Sequence, residues 1–194
     1  MIKIQTPISE KAIRELKVGD EVYLNGRVVT ARDVAHKYMV EEKPEFLKEI
    51  LKESVIYHCG PVVKNENGIW KIVAAGPTTS AREEPYQASV IDQYTVRGVI
   101  GKGGMGEKTL AGLKKTGSVY FHAIGGLAVV LAESIKRVVN VHKLEEFGAP
   151  EAFWELEVED LPVIVTMDSH GQSLHKVVLE ESKRNYDNIL ANIA

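Results

Sequence analysis

The segment 76–82 has the residue types of an anion-binding turn. It reads Gly-Pro-Thr-Thr-Ser-Ala-Arg and lies between a predicted strand and the predicted start of a helix. Free backbone amides at a helix N-terminus attract negative charge, and the guanidinium of Arg82 matches the two oxygens of a carboxylate. An ordinary Ser/Thr helix cap is the plainer interpretation, but it accounts for one hydroxyl and not for three. We therefore expect three hydroxyls and Arg82 to converge on an anion such as a carboxylate.

A glycine-rich segment, 101–109, follows a predicted strand and opens a predicted helix. Its sequence, Gly-Lys-Gly-Gly-Met-Gly-Glu-Lys-Thr, nearly matches a phosphate-binding P-loop, in which a Lys-Ser/Thr pair directly follows the last glycine. Glu107 separates Gly106 from that pair and shifts it by about 100° of helix rotation. A P-loop-like nucleotide-binding module therefore stays only a distant alternative. The same glycines let the backbone pass close to a small ligand, with Lys102 pointing into it.

A third candidate, Arg32, lies where a predicted strand runs into a helix. It faces a site at this junction or, on the plainer interpretation, lies on the surface, and Asp33 is the expected helix cap. We expect His36 to be a hydrogen-bonded structural histidine within the helix. His58 and Cys59 have no identifiable third partner for a catalytic triad, and the six histidines show no metal-ligand spacing.

Composition restricts the functional class. The 194 residues are 44% hydrophobic and 26% charged, as in a globular domain, and the net charge of -3 predicts no general affinity for nucleic acid or membrane. The one cysteine, Cys59, excludes an internal disulfide and a self-sufficient cysteine-ligated cluster, and we expect it to be a buried, inert thiol. The chain opens with Met-Ile-Lys-Ile and no apolar signal region, so we expect a cytoplasmic location.

Short strands and short helices alternate along the chain, which predicts an α/β fold. Asn25-Gly26 predicts a hairpin of strands 21–24 and 27–30, and a second hairpin is predicted over 61–75. The other predicted strands are 55–58, 97–100, 118–121, 138–141, 154–158 and 163–167. The predicted helices are 10–17, 33–42, 44–52, 85–94, one ending at Gly117, and a tail with apolar residues at helical spacing over 174–190.

Taken together, these segments resemble the C-terminal or β part of class I fumarases and L-tartrate dehydratases. The segments that carry the resemblance are Ala-Arg-Asp-x-Ala-His at 31–36, Gly-Pro-Thr-Thr-Ser-Ala-Arg at 76–82 and Gly-Lys-Gly-Gly-Met at 101–105. Also similar to the family are Gly125-Gly126 with the apolar run 128–132, and 147–154 running into 157–162. The likeness covers most of the chain in the same order.

The resemblance implies a swivelling β/β/α domain over residues 1–194, with short mixed strands, hairpins and flanking helices. It implies a β subunit that hydrates fumarate to (S)-malate reversibly and is active only with an α subunit, in an α2β2 assembly. The [4Fe-4S] cluster and a proton-accepting aspartate belong to that α subunit, so no metal ligand is implied in this chain. By the same resemblance, Thr78 is the catalytic base, and Arg32, Arg82 and Lys102 bind the carboxylates of a C4 dicarboxylate substrate.

An L-tartrate dehydratase β subunit is the alternative within the same class, because the turn segments are shared by both enzymes. Glu83-Glu84 departs from the family pattern, in which a methionine and one acid are frequent at these positions. Two carboxylates beside an anion site weaken its positive potential unless they point outward. The directions of these two side chains therefore bear directly on the expected site.

Overall fold

The computed structural model describes residues 1–191 as a mixed α/β fold. The strands are β1 (Ile2–Gln5), β2 (Glu21–Thr30), β3 (Val55–Tyr57), β4 (Val62–Glu66), β5 (Ile69–Ala74), β6 (Gly98–Gly101), β7 (Val119–His122), β8 (Ile135–His142) and β9 (Phe153–Met167). The helices are α1 (Glu10–Glu15), α2 (Asp33–Glu42), α3 (Glu45–Leu51), α4 (Glu84–Tyr94), α5 (Glu107–Thr116), α6 (Ala128–Glu133), α7 (Leu144–Phe147) and α8 (Leu174–Ala191). A 3₁₀ turn covers Ser80–Arg82.

Seven strands form one sheet in the order β1-β2-β3-β6-β7-β9-β8, and β4 and β5 form a separate hairpin. Strands β2, β3, β6 and β7 run parallel to one another, and β9 runs antiparallel to them. Because β9 pairs with both β7 and β2, the strands β2, β3, β6, β7 and β9 close into a ring. Closure of this kind satisfies sheet edges within the chain itself.

The core has two parts, one on each face of the ring strands. Along β3, Val55 and Tyr57 belong to one buried cluster, whereas Ile56 between them belongs to the other. This alternation is the expected result of the strand pleat. The second cluster also contains Met39 of α2 and Leu113 of α5, so the helices α2 to α5 cover one face of the sheet.

The hairpin expected at Asn25-Gly26 is wrong. The chain runs straight through these residues as the ten-residue strand β2, and the register with β9 shifts between Leu24 and Gly26. Gly26 has a φ of +87°, and a Cβ there would lie 2.5 Å from Thr6 Oγ1, so glycine is required for a bulge and not for a turn. The two strands expected over 154–167 are likewise one strand, β9.

Most other expected elements are confirmed, including the hairpin β4–β5 and the helices α1 to α5. The prediction that Asp33 caps this helix is wrong, since Arg32 is the N-cap of α2 and Asp33 is the first helical residue. Helices α6 and α7 have no counterpart among the predicted elements. The tail is helical as α8, but none of its residues is buried, so its apolar side chains do not pack into the core. No helix among residues 1–191 combines the length and the apolar character that crossing a membrane requires.

Candidate active site

The four expected site residues lie around the carboxyl ends of the parallel strands. Arg32 follows β2 closely and Lys102 follows β6 directly, while Thr78 and Arg82 lie on the segment 76–82, called here the Thr78 loop. In closed α/β barrels as in open α/β sheets, ligands bind at the carboxyl ends of the parallel strands. The fold therefore brings all four residues to the edge where a ligand is expected.

Backbone hydrogen bonds fix the Thr78 loop against the sheet. Thr78 N–H donates to the carbonyl of His58 at 2.7 Å, just after β3, and Lys102 N–H donates to the carbonyl of Thr78 at 3.1 Å. Ser80 N–H donates in turn to the carbonyl of Lys102 at 3.1 Å. The loop thus pairs like a short extra strand beside the end of β6. These hydrogen bonds fix the position of the Thr78 backbone relative to the Lys102 backbone.

Arg32 and Arg82 come together through a shared carboxylate. Arg82 Nη2 lies 2.9 Å from Asp33 Oδ2, and Arg32 Nη2 lies 3.8 Å from the same oxygen. Arg32 Nε also lies 3.5 Å from a carboxylate oxygen of Glu151. The Arg32 side chain needs Gly60 beside it, because a Cβ at position 60 would lie 2.6 Å from Arg32 Nη1. Glycine at 60 is thus set by close approach rather than by an unusual φ.

The three cations Arg32, Arg82 and Lys102, called here the cation cluster, are accessible from solvent. The Arg82 side chain is 49% exposed and the Arg32 side chain is 21% exposed. Lys102 is partly buried, and it forms no ion pair within residues 1–191. Such a cluster on an acidic protein is suited to a ligand with more than one negative charge.

The three hydroxyls of the Thr78 loop do not converge on one anion, contrary to our expectation. Thr78 Oγ1 donates to the His58 carbonyl at 3.0 Å. Thr79 is the N-cap of the 3₁₀ turn without a side-chain hydrogen bond, and Ser80 is buried with its hydroxyl turned inward. Of the three, only Thr78 has a partly buried hydroxyl whose oxygen lone pairs are free to accept a proton or a hydrogen bond.

A buried line of polar side chains lies beneath the loop. His36 Nε2 and His58 Nε2 lie 3.0 and 2.7 Å from Oε1 of Gln87, and His58 Nδ1 lies 2.8 Å from Ser80 Oγ, which lies 2.9 Å from Tyr120 OH. Burial lowers the pKa of His36 to about 4 and lowers the pKa of His58 well below its usual value. Both imidazoles are therefore neutral at pH 7. The expectation that His36 is a hydrogen-bonded structural histidine is confirmed.

The direction of the hydrogen bonds along this line is set at its Arg32 end. His36 Nδ1 lies 2.9 Å from the Arg32 carbonyl, which only accepts, so neutral His36 carries its hydrogen on Nδ1. The Nε2 atom of His36 then needs a donor, and the amide NH2 of Gln87 is the group within reach. A half-turn of this amide supplies that donor and gives the otherwise unpartnered Gln87 nitrogen two acceptors. His58 consequently carries its hydrogen on Nδ1 and donates to Ser80.

Sequence reasoning missed this line because its members come from separate elements. His58 follows β3, Ser80 lies on the loop, Gln87 lies on α4 and Tyr120 lies on β7. Gly101 makes room for it, since a Cβ at this position would overlap Ser80 Oγ and lie 3.0 Å from Tyr120 OH. That glycine was the available signal in the sequence, but glycines in such a loop also serve tight turns and close approach to a ligand.

Glu84 occupies the position at which a P-loop binds phosphate. Its carboxylate accepts hydrogen bonds from Gly106 N–H at 2.7 Å, Lys108 N–H at 3.1 Å, and Thr109 N–H and Oγ1–H at 3.2 and 2.7 Å. These are donors at the N-terminus of α5, where negative charge is stabilised. The chain therefore fills this anion-binding position with its own side chain. Among residues 1–191, Glu84 forms no ion pair with Arg32, Arg82 or Lys102.

Glu83 points the other way, into the protein. The residue is 0% exposed, and neither carboxyl oxygen has a hydrogen-bond partner within residues 1–191. Burial, and next the negative charge of Asp33, raise the pKa of Glu83 to about 7, against smaller opposite effects of its own backbone N–H, of Arg82 and of Arg32. A carboxyl group in this environment is protonated in a large fraction of molecules at neutral pH.

The residues present do not fit an iron–sulfur cluster. Cys59 is 1% exposed, and burial raises the pKa of its thiol to about 12, so the expected inert thiol is confirmed. Within residues 1–191 there is no group of three or more His, Cys, Asp or Glu side chains arranged to hold a metal ion. Iron in such clusters is held by thiolates, which this chain cannot supply in the required number.

Three relatives show the range of proteins to which this chain is similar. A Geobacillus stearothermophilus protein provisionally named fumarate hydratase class I is 52% identical over 183 residues, which are 94% of this chain and 35% of that protein. A Methanocaldococcus jannaschii protein provisionally named L(+)-tartrate dehydratase subunit β is 45% identical over 185 residues, 94% of this chain and 93% of that protein. The Escherichia coli K12 L(+)-tartrate dehydratase subunit β is 37% identical over 172 residues, with 88% and 85% covered.

The two kinds of relative differ in length relative to this chain. The chain spans 35% of the fumarate hydratase relative, whereas it spans most of each tartrate dehydratase β subunit. The sequence profile of the family described as Fumarase C-terminus matches residues 1–178, which include every residue of the cation cluster and the Thr78 loop. The resemblance deduced from the sequence is confirmed, and the chain belongs to the Fumarase C-terminus family.

Proposed function

We propose that this chain is the β subunit of a [4Fe-4S] hydro-lyase that reversibly hydrates fumarate to (S)-malate. The observation that carries the proposal is the position of Arg32, Thr78, Arg82 and Lys102 around one edge of the sheet, in a chain of this family. The swivelling motion of the domain, its extent over residues 1–194 and its cytoplasmic location stay predictions.

The cation cluster holds the two carboxylates of the substrate. Arginine forks bind carboxylates through paired hydrogen bonds and so fix the orientation that an elimination requires. Removal of the proton beside a carboxylate builds additional negative charge on that group, and fixed cations stabilise it. For substrate to reach Arg82, it must compete with Asp33, which now lies 2.9 Å away. We therefore expect the Arg82 guanidinium to rotate between Asp33 and the substrate.

Thr78 accepts the carbon-bound proton, but it needs a second base. Its own hydroxyl hydrogen lies on the His58 carbonyl, and a carbonyl oxygen is too weak a base to take a proton. Within residues 1–191 the hydroxyl forms no hydrogen bond with a carboxylate or an imidazole. A group from outside this chain must therefore complete the base. The aspartate that the family resemblance implies in the α subunit meets this need.

In this proposal the [4Fe-4S] cluster belongs to the same partner, because this chain has one buried cysteine and cannot hold an iron–sulfur cluster. Support for a separate partner comes from the names of two relatives, which are L(+)-tartrate dehydratase β subunits. A β subunit implies an α subunit, and we propose that the assembly is α2β2.

L-tartrate is the alternative substrate. The observation in its favour is that the relatives of nearly the same length as this chain are named tartrate dehydratase β subunits. Tartrate is also a C4 dicarboxylate, so the cation cluster suits both. Only turnover by the assembled enzyme separates the two substrates.

The test is anaerobic reconstitution with the cluster-bearing α subunit, followed by kcat/KM for fumarate, (S)-malate and L-tartrate. We expect the chain alone to be folded and inactive. In the complex, Arg32→Ala, Arg82→Ala and Lys102→Ala each cost about 2–5 kcal/mol of transition-state stabilisation. Arg14→Ala, which removes an exposed cation paired with Glu10, is the matched control and leaves kcat/KM unchanged. The proposal is contradicted if all three variants of the cation cluster keep the wild-type kcat/KM, or if the chain alone turns over fumarate.

A further inference from the structure

Glu83 is a buried carboxyl group directly beside the cation cluster in the chain. It follows Arg82, it is 0% exposed, and both of its oxygens are without a hydrogen-bond partner among residues 1–191. A buried ionised carboxylate without donors is costly, whereas a protonated carboxyl in the same place costs much less. The surroundings therefore favour the neutral form, and Glu83 plays no part in the chemistry derived above.

The groups that face Glu83 come from three elements. They are Arg82 on its own turn, Arg32 and Asp33 at the start of α2, and Tyr120 on β7. Tyr120 is neutral at pH 7, because burial raises the pKa of its hydroxyl. Asp33 opposes ionisation of Glu83 and the two arginines favour it, so the protonation of Glu83 responds to any change in their charge balance.

The net charge at the site depends on Glu83. The cation cluster carries three positive charges, and Asp33 and Glu151, which pair with its arginines, carry two negative charges. With Glu83 neutral, one positive charge remains in excess, and with Glu83 ionised none remains. A dianion interacts more favourably with the first state, so its binding shifts the population toward protonated Glu83.

We propose that Glu83 is a specificity-determining residue of this site, which binds a dicarboxylate together with one proton taken up by the Glu83 carboxyl group. The inference rests on the proposed function, since it takes the cation cluster as the place where a dicarboxylate binds. One proton passes from solvent to a Glu83 oxygen as the dianion binds, and it returns to solvent when the dianion leaves. A monocarboxylate brings one charge fewer and is coupled to this proton more weakly.

The experiment measures proton uptake when succinate, a C4 dicarboxylate that cannot be dehydrated, binds to the assembled complex. Titration calorimetry in buffers of different ionisation enthalpy counts the protons. At about pH 8 we expect uptake approaching one proton per site, and a Kd that rises toward tenfold per pH unit between about pH 7 and pH 9. Glu83→Gln, which copies the neutral carboxyl, removes both effects. Glu84→Gln, at the neighbouring carboxylate that caps α5, keeps them.

Two outcomes overturn the proposal: wild type binds succinate without proton uptake, or Glu83→Gln takes up the same proton. A second measurement uses the chain alone, by ¹³C NMR of glutamate carboxyl carbons assigned through Glu83→Gln. A Glu83 midpoint near 7 supports the proposal, and a midpoint near 4.5 overturns it. If succinate binds at no pH, the proposed function fails, while the NMR midpoint still decides the state of Glu83. The two failures are therefore distinguishable.

Discussion

Replacing Thr78 by alanine separates chemistry from folding, because the structure sets the stability cost low. The Thr78 hydroxyl donates to the His58 carbonyl at 3.0 Å, but the same carbonyl also accepts the Thr78 backbone N–H at 2.7 Å. Alanine keeps that backbone bond, so no buried acceptor loses its last donor. We expect Thr78→Ala to lower the free energy of unfolding by about 1 kcal/mol, the net value of one hydrogen bond.

The catalytic cost of the same change is much larger. The cation cluster still binds the substrate carboxylates, so substrate Kd changes little. Without the hydroxyl, the carbon-bound proton has no acceptor in this chain, and loss of a general base lowers kcat by about 10²–10⁴-fold. That factor corresponds to about 3–5 kcal/mol in the barrier, well above the stability cost. Thr78→Ser keeps the hydroxyl and should be partly active.

The assays are urea unfolding of the chain, and turnover with substrate Kd for the assembled complex. Thr79→Ala is the matched control, since the neighbouring threonine has no side-chain hydrogen bond at the 3₁₀ turn that it begins. We expect the control to keep its kcat. A Thr78→Ala complex with nearly normal kcat refutes the reasoning and leaves Thr78 as a loop residue.

Three further changes test other parts of the site. Gly60→Ala displaces Arg32, so kcat/KM for the dicarboxylate should fall about tenfold; an unchanged kcat/KM contradicts the contact. Glu84→Ala should lower the unfolding free energy by about 1–2 kcal/mol, and equal urea midpoints would exclude the cap. Burial holds the pKa of His36 at about 4 while the unfolded value is 6.5, so protonation favours the unfolded state as pH falls. The His36 contribution to stability should fall by about 2 kcal/mol from pH 7.5 to 5, and His36→Gln should reduce the total loss by about that amount, while buried His58 keeps its own contribution.

Local signals predicted local structure well. The helix expected from residue 10 begins there as α1, with Ser9 accepting from Ala12 N–H as its cap, and Gly117, with a φ of +66°, ends α5 as expected. Such caps depend on residues within one turn of each other, so the sequence contains all the information they need. The same holds for the β4–β5 hairpin, whose strands are adjacent in the chain.

Long-range pairing overrode the local signals elsewhere. Asn25-Gly26 favours a tight turn, but pairing of β2 with the distant β9 along its length made a continuous strand with a bulge more favourable. The resemblance identified Thr78 and the cation cluster as candidate site residues, because the sequence pattern of a family already reflects the long-range strand pairing of its fold. It could not supply the direction of Glu83 and Glu84. Nor could it supply the link between His58 and Ser80, which depends on packing between separate elements.

The ring of strands has a consequence for how the polypeptide reaches its folded state. Asn25 and Asp160, which are 135 positions apart, are joined by side-chain hydrogen bonds, and β9 pairs with β2, β7 and β8. During synthesis, every strand before β9 therefore emerges while the ring is still open. Contacts between such distant positions slow folding, and unpaired strand edges promote aggregation meanwhile. A nascent chain that stalls before residue 153 lacks its closing strand, so we expect it to depend on chaperones until β9 arrives.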